Sequence, residues 1–465
     1  MEDTGECEDD AGAGAVSFER VLFEVPQIVE HMSFASRRAV AATCWSFFLA
    51  MLQRQICDGW RPVLNVFDAR DVLPHAIADR VAAGTASTGT AAYRGLHVAL
   101  TDTRALLGAI ERCRKGKGAR SDAVVAVNDV VRAAQQPGAA PIRVERVTSM
   151  GDQIALSRNS RPADALADLL AQPAVCGTLW DLQLATFPLR DAGATALASA
   201  MPRCVGLTCV SLTSCQVGGE GARALAQVLG KLSLLRTLEL SDNPLGDAGV
   251  SAVAEALGPS RALRVLELAR VGSGAVGARA LRKLLGRQSA LEELWLGGNV
   301  LRDVGARELG EELVNGNARL RVLDLPDNSI GPEGAWELAQ GLEFCRALEE
   351  VCLDDNRIRD DGAAAVADAL ATSPTLARLA LRHCGVGDRT ATAAARLLQG
   401  CPRLADVNLA RNKIGDAGAK TLASSLERSR ITDLDLCENR IGVRGGFSLG
   451  RAVERMSRRA EVRLF

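Results

Sequence analysis

From Leu235 the chain reads LRTLELSDNPLGDAGVSAVAEAL, and two hydrophobic rhythms follow one another within it. Leu238 and Leu240 alternate with Thr237, Glu239 and Ser241, the period of a strand with one face buried. After a glycine turn, VSAVAEAL spaces its apolar residues at helical period. Near-copies begin at Leu320, LRVLDLPDNSIGPEGAWELAQGL, and at Leu404, LADVNLARNKIGDAGAKTLASSL. The pattern predicts a strand–turn–helix unit recurring about every 28 residues.

Alignment of the units exposes columns. Asparagine recurs at Asn159, Asn243, Asn299, Asn328, Asn356, Asn412 and Asn439; Cys215 and Cys384 fill the same column, and Phe187 and Val271 break it. Six residues on, glycine recurs from Gly193 to Gly445, with Thr390 as the exception and Ala165 in that place in the first unit. Four residues past the asparagine the column is often acidic, as at Asp191, Asp247, Asp303, Asp360, Asp388 and Asp416. Carboxylates there are expected to cap the helix that each begins. One unit cannot cover its own apolar face, so units must stack. Strands stack ~4.8 Å apart and helices ~8–10 Å, which bends the array. The expected fold is α/β: a right-handed βα solenoid with a parallel concave sheet and helices outside. The asparagine should turn inward and satisfy main-chain groups that stacking would strand.

These residues and spacings resemble leucine-rich repeats of the ribonuclease-inhibitor type over residues 151–465. The resemblance implies a curved horseshoe that binds proteins. Upstream, residues 61–150 read as irregular, degenerate βα repeats: VLNVFDARDVLPHAIADRVAAG and GLHVALTDTRALLGAIERC each suggest a strand and then a helix, and IRVERV returns to strand. Residues 17–60 are helical in pattern and hold a cluster of aromatic residues. They resemble an F-box, with Val25, Ile28 and Met32 on one helical face, Cys44 twelve residues further, and Phe47 where that motif usually has tryptophan. The Leu-Pro opening of that motif is absent, Val21-Leu22-Phe23 standing there, and Ser33-Phe34 replaces its Asp-Pro. The resemblance implies docking on a Skp-type adaptor through Val25, Ile28, Met32 and Phe47; a helical cap that seals the horseshoe is the alternative. Residues 1–16 read as an acidic disordered tail.

Net charge is −1, so the chain as a whole is not drawn to nucleic acid or acidic membranes. No window offers ~18 uninterrupted apolar residues. The acidic start MEDTGECEDDAGAGA is unlike a secretory signal. With 13 scattered cysteines, this points to a reducing cytoplasm or nucleus. Catalytic chemistry is sparse. VGSGAVGARAL, from Val271, contains G-x-G-x-x-G, but Gly274 and Gly277 occupy the columns of Gly246 and Gly249, so repeat geometry accounts for it. No histidine accompanies Cys204, Cys209 and Cys215 to make a zinc site. The expectation is a protein that is not an enzyme and needs no cofactor or metal.

Binding is expected on the sheet face. Register sets Gln183, Ser211, Glu239, Glu267, Trp295, Asp324, Cys352, Ala380, Asn408 and Asp435 in one outward column, with Asp181, Thr237, Val265, Glu293, Val322, Glu350, Arg378, Asp406 and Asp433 beside it. Asp242, Asp327, Asp354, Asp355 and Glu438 lie toward the strand ends. Acids outnumber the bases Arg270, Arg378, Arg382 and Arg411 on this face, and like charges on adjacent strands repel. Trp295 stands among them as a large aromatic anchor. The candidate partner site is Glu239, Glu267, Glu293, Trp295, Asp324, Glu350, Asp354, Asp355 and Asp435, and its partner a protein with a basic surface, not nucleic acid. Two functions compete: substrate receptor of an SCF-type ubiquitin ligase, or a regulator similar to ribonuclease inhibitor or Ran GTPase-activating protein. At the far end, EVRLF begins one more strand.

Overall fold

The computed structural model describes residues 63–65, 95–100, 144–150 and 162–464, other than 188, 288–289, 316–318 and 457–459. Val25, Ile28, Met32 and Phe47, the acidic tail and Asn159 lie outside the described residues. Among the described residues, fourteen strands form one sheet in chain order. The first three are β1 (Val63–Asn65), β2 (Gly95–Leu100) and β3 (Val144–Met150), and β4 is Asp181–Leu184. Ten strands of three residues follow: β5 (Cys209–Ser211), β6 (Thr237–Glu239), β7 (Val265–Glu267), β8 (Glu293–Trp295), β9 (Val322–Asp324), β10 (Glu350–Cys352), β11 (Arg378–Ala380), β12 (Asp406–Asn408), β13 (Asp433–Asp435) and β14 (Glu461–Arg463). A helix follows each strand from β4 to β13. Every pairing from β3 to β14 is parallel, in the order expected of a leucine-rich-repeat βα solenoid. β1 and β2 differ: β1–β2 and β2–β3 pair antiparallel, where stacked βα repeats would pair parallel.

The middle residue of each short strand faces the helices. Val210, Leu238, Leu266, Leu294, Leu323, Val351, Leu379, Val407 and Leu434 are all buried, and they join helix residues such as Leu225, Val253, Leu281 and Leu309 in one continuous core. Each such side chain contributes roughly 1.5–3 kcal/mol, but only because the neighbouring unit covers it.

The turns come in two kinds, and the two alternate as far as Cys384. In the first, at Phe187, Asn243, Asn299 and Asn356, a helical Leu or Ile precedes a left-handed residue: Arg190 at φ +53°, Gly246 at +62°, Arg302 at +56° and Arg359 at +56°. The amide of that residue donates to a main-chain carbonyl of the next unit, Cys215 at 3.1 Å, Val271 at 2.9 Å, Asn328 at 3.0 Å and Cys384 at 2.9 Å. In the second kind, two amides of the helix start donate to an aspartate of the preceding unit. Asp191 takes Gly218 and Gly221 at 2.7 and 2.9 Å; Asp303 takes Gly331 and Gly334 at 2.6 and 3.1 Å. Asp247, Asp360, Asp388 and Asp416 do the same for the helices that follow theirs.

The aspartates therefore cap the neighbouring helix and not their own, a correction to the reading from sequence. A first-turn side chain projects sideways, and in this stack that places it over the next helix end. The glycines after second-kind turns follow from this, whereas Gly193, Gly249, Gly305 and Gly362 lie against alanine, leucine or proline. A Cβ on Gly221 would stand 2.7 Å from Asp191 Oδ1, and one on Gly334 2.6 Å from Asp303 Oδ1. Thr390 replaces the glycine once and turns its hydroxyl to Asp360 Oδ1 at 2.7 Å.

The same alternation explains the asparagine column. Asn243 Oδ1 accepts the amides of Cys215 and Val217 at 3.0 and 2.9 Å, and its Nδ2 donates to the Leu212 and Leu240 carbonyls. Asn299, Asn356 and Asn412 repeat this for the second-kind turns before them. Cys215, Val271, Asn328 and Cys384 follow first-kind turns, where a carbonyl of the column residue itself does the accepting. An acceptor side chain is idle there: Asn328 Oδ1 is buried with no partner. Cysteine suffices, its thiol donating to the Leu184 or Leu353 carbonyl. From Cys384 onward only second-kind turns occur, and the column returns to asparagine at Asn412 and Asn439.

Candidate functional site

The parallel ladder sets the outward columns side by side. Glu239 pairs with Glu267, Glu267 with Trp295, and Trp295 with Asp324. Glu293 stands one column over, between Val265 and Val322, and accepts a hydrogen bond from Trp295 Nε1 at 3.2 Å. Side chains directly opposite in a sheet lie ~5 Å apart, so Glu267 and Asp324 flank the indole, Glu293 bonds to it, and Glu239 stands one strand beyond Glu267. None of Glu239, Glu267, Glu293 and Asp324 has a salt bridge among the described residues.

This crowding acts on the protons. Burial, and then the charges of Glu239, Glu293 and Asp324, push the Glu267 carboxyl up to about 7. Asp324 is pushed up to about 6, by burial first, with Glu350 and Asp354 adding to it; a hydrogen bond with Cys352 and the charge of Arg378 act against it. Each carboxylate is held where a cation would be welcome.

The other predicted site residues are occupied within the chain. Glu350 pairs with Arg378 at 3.0 Å, and Arg378 reaches Asp406 at 3.3 Å. Asp354 accepts the Arg382 amide at 2.6 Å, and burial raises its pKa. Asp355 holds His383 Nδ1 at 2.8 Å and Arg382 at 3.4 Å. Asp435 accepts the Cys437 amide at 2.9 Å and lies 3.3 Å from Arg463. Arg463 also pairs with Asp433 at 2.6 Å. Sequence reasoning omitted it, although continuing the register through EVRLF puts it next to Asp435. Asp181, set in the outward column by register, is instead 1% exposed and paired with Arg146 of β3.

The G-x-G-x-x-G stretch offers no free phosphate cradle. The Gly274 and Gly277 amides donate to Asp247 Oδ1 at 2.6 and 2.8 Å, so a carboxylate of the preceding unit sits where an anion would bind. Burial pushes the thiols of Cys204, Cys215, Cys345 and Cys384 up to about 12, away from nucleophilic thiolates. Among the described residues no group of three or more His, Cys, Asp or Glu is disposed to hold a metal ion. Among them, too, no helix is long and apolar enough to cross a membrane.

Comparison with known proteins bears on the repeats. A family model described as Leucine Rich repeat matches residues 206–226, 231–254, 316–339 and 401–423. None of the curated proteins matches the chain. Among solved structures, an internalin of Listeria monocytogenes is similar at 15% identity, covering 78% of this chain and 95% of that one, with a TM-score of 0.44. A yeast complex of Rad7 and Elc1 is similar at 15% identity, covering 74% and 90%, with a TM-score of 0.39. Likenesses at this level carry no weight for function. The matched repeats and the parallel ladder support a leucine-rich-repeat protein.

Proposed function

We propose that this chain is a non-enzymatic protein-interaction scaffold that captures a protein with a basic surface on its concave face, at Glu239, Glu267, Glu293, Trp295 and Asp324. One observation carries the reading: Glu267, Glu293 and Asp324 crowd a single indole, with Glu239 one strand beyond, and none of the four has a salt bridge among the described residues, while acids further along the same sheet are matched by arginines. Aromatic anchors ringed by polar groups concentrate binding energy in protein interfaces, and an arginine or lysine of a partner would relieve the crowding. Glu350, Asp354, Asp355 and Asp435 flank this centre and contribute less, being already engaged.

The F-box resemblance of residues 17–60 adds a role to the scaffold: substrate receptor of an SCF-type ubiquitin ligase, cytoplasmic or nuclear, docking a Skp-type adaptor through Val25, Ile28, Met32 and Phe47 and needing no cofactor. In this arrangement the organisation runs tail, adaptor module, degenerate repeats over 61–150, and repeats of the ribonuclease-inhibitor type from 151 onward. The competing reading is a regulator of an enzyme or small GTPase with no ubiquitin role. Pull-down of the full chain with purified adaptor separates them: binding that is lost in Ile28→Asp/Met32→Asp supports the receptor, and no binding leaves the regulator. The concave site is tested separately, by capture of an arginine-rich peptide and of its charge-reversed counterpart. Equal capture of both would defeat it.

A further inference from the structure

A net charge close to zero gives the chain as a whole no pull toward an acidic surface, but its bases are not evenly spread. The parallel strands all start at one rim of the solenoid, where each helix has ended and a short turn leads into the next strand. Main-chain hydrogen bonds join the residues that precede the strands there. The Thr208 amide donates to the Trp180 carbonyl, Arg236 to Thr208 and Arg264 to Arg236, each at 2.8 Å. Trp180, Thr208, Arg236 and Arg264 are therefore neighbours along the rim, ahead of β4, β5, β6 and β7. Beyond them the row alternates in sign. Glu292 pairs with Arg264 and lies 3.8 Å from Arg321, which pairs with Glu349 at 2.7 Å. Ahead of β5, β6 and β7 the rim also carries Arg203, Lys231 and Arg261, exposed like Arg236. None of these four bases has a salt bridge among the described residues.

Three large apolar side chains are exposed among these bases: Trp180 at 40%, Val205 at 67% and Leu234 at 51%. The Arg146 guanidinium lies over the Trp180 ring, 5.3 Å from its centre. Val205 and Leu234 stand on tight turns. One is closed by the Leu207 amide on the Cys204 carbonyl at 3.2 Å, the other by Leu235 on Leu232 at 3.1 Å. The first turn rests on the Trp180 unit, since a Cβ on Gly206 would lie 3.2 Å from the Leu179 carbonyl oxygen. The matching turn positions before β7, β10, β11 and β12 are Arg261-Ala262, Arg346-Ala347, Pro374-Thr375 and Pro402-Arg403, with no large aliphatic residue. Bases at helix C-termini also balance helix dipoles, but that accounts for none of the three apolar residues.

We propose that the rim from β4 to β7 is a docking surface for an anionic lipid bilayer. The occupant is read from charge and shape together. Four bases with no partner in the chain call for an anionic surface, and acidic headgroups supply one. Val205 and Leu234 project from turn tips, so whatever meets them must be soft enough to take them in, as the acyl boundary of a bilayer is. An indole beside them suits the headgroup level. A folded acidic protein would need a hollow for each tip, and a nucleic-acid backbone offers the tips nothing. The strands run away from this rim, so a bilayer there leaves the concave face open to its own partner.

Flotation of the full chain with phosphatidylcholine vesicles, and with vesicles that also contain phosphatidylserine, tests this. Binding is expected to the second kind only, and it should weaken as salt is added. Lys231→Glu/Arg236→Glu should weaken it at least ~30-fold, and Val205→Ser/Leu234→Ser about tenfold. The positions changed are exposed, so each variant should keep the wild-type circular dichroism spectrum. Arg307→Glu/Lys420→Glu makes the same change in net charge on the outer helix faces, and should cost about twofold or less. No binding to either vesicle, equal binding to both, or an equal loss from the two charge-reversed pairs would overturn the proposal. So would vesicle binding that Val205→Ser/Leu234→Ser leaves intact, since charge alone would then serve and an acidic polypeptide or a nucleic acid would fit as well.

Discussion

The concave sheet is acidic along much of its length, yet its two stretches solve the problem of like charge differently. From β10 to β14 the carboxylates are interleaved with arginine: Arg378 bridges Glu350 and Asp406, and Arg463 bridges Asp433 and Asp435. From β6 to β9 the acids meet each other and Trp295, and burial with mutual repulsion lifts Glu267 to about 7. Counting acids and bases down the columns treats the two stretches alike. What distinguishes them is adjacency: an arginine one strand away neutralises, and an arginine four strands away is screened at ~8 Å and does nothing. A surface that bears unmatched charge in one place and matched charge beside it gives a partner one place to gain by binding.

The largest expected effect lies at that place. Trp295→Ala combined with Glu239→Lys and Glu267→Lys should reduce capture of a basic partner at least ~100-fold, with the circular dichroism spectrum unchanged. The matched stretch supplies the control. Asp433→Lys with Asp435→Lys makes the same change in net charge, and should cost about threefold or less. Equal losses from both would erase the distinction between the stretches, since net charge alone would then govern binding.

A smaller effect follows from the protons. Glu267 and Asp324 must be ionised to meet a cation, and they titrate near 7 and 6. Capture should therefore tighten as pH rises from 5.5 to 8, by roughly tenfold, and the slope should vanish in Glu267→Gln/Asp324→Asn. The same shift acts on stability with the opposite sense. A carboxyl whose folded pKa is raised binds its proton more tightly folded than unfolded, so the stability it lends at low pH is lost as pH climbs from about 4.5 through about 7. Glu267→Gln should raise the melting temperature at pH 8, by an amount equivalent to ~1 kcal/mol after allowance for solvent screening, and change it little at pH 5. Thermal melts at the two pH values decide this.

Much of this was legible in the sequence. The strand columns were readable because side chains alternate with period two and the leucines fix which face is buried, so Glu239, Glu267, Trp295 and Asp324 fell into line before any coordinates. The asparagine column was readable because stacking must satisfy main-chain amides. What escaped was everything that depends on which unit a side chain serves. Asp191 and Asp303 cap the helix after their own, and a single unit viewed alone offers no hint of it. Cys215 and Cys384, which fill the column, and Val271, which breaks it, follow first-kind turns that need no acceptor. Asp181 escaped for a further reason: it faces β3, which does not belong to the regular series. The landmarks Val25, Ile28, Met32 and Phe47 lie outside the described residues, so their reading rests on sequence.

The smallest effect is the most direct test of adjacency. Arg378 stands on β11 within the matched stretch, pairing with Glu350 and Asp406 and lowering the charge cost at Asp324 and Asp354. Its guanidinium is about half exposed, so Arg378→Gln should change stability near pH 5 by only a few tenths of a kcal/mol. The consequence should appear in the slope. Burial raises the Asp406 pKa, and the charge of Arg378 holds it down; without that charge it rises further, and Asp324 and Asp354 follow. More carboxyls then carry raised folded pKa values, and each loses stability as pH rises through its own. The variant should therefore lose more stability than wild type between pH 5 and 8, with the matched stretch behaving as the unmatched one does. Parallel melting curves for the two proteins across that range would mean that Arg378 is only a neighbour of these acids and does not set their charge.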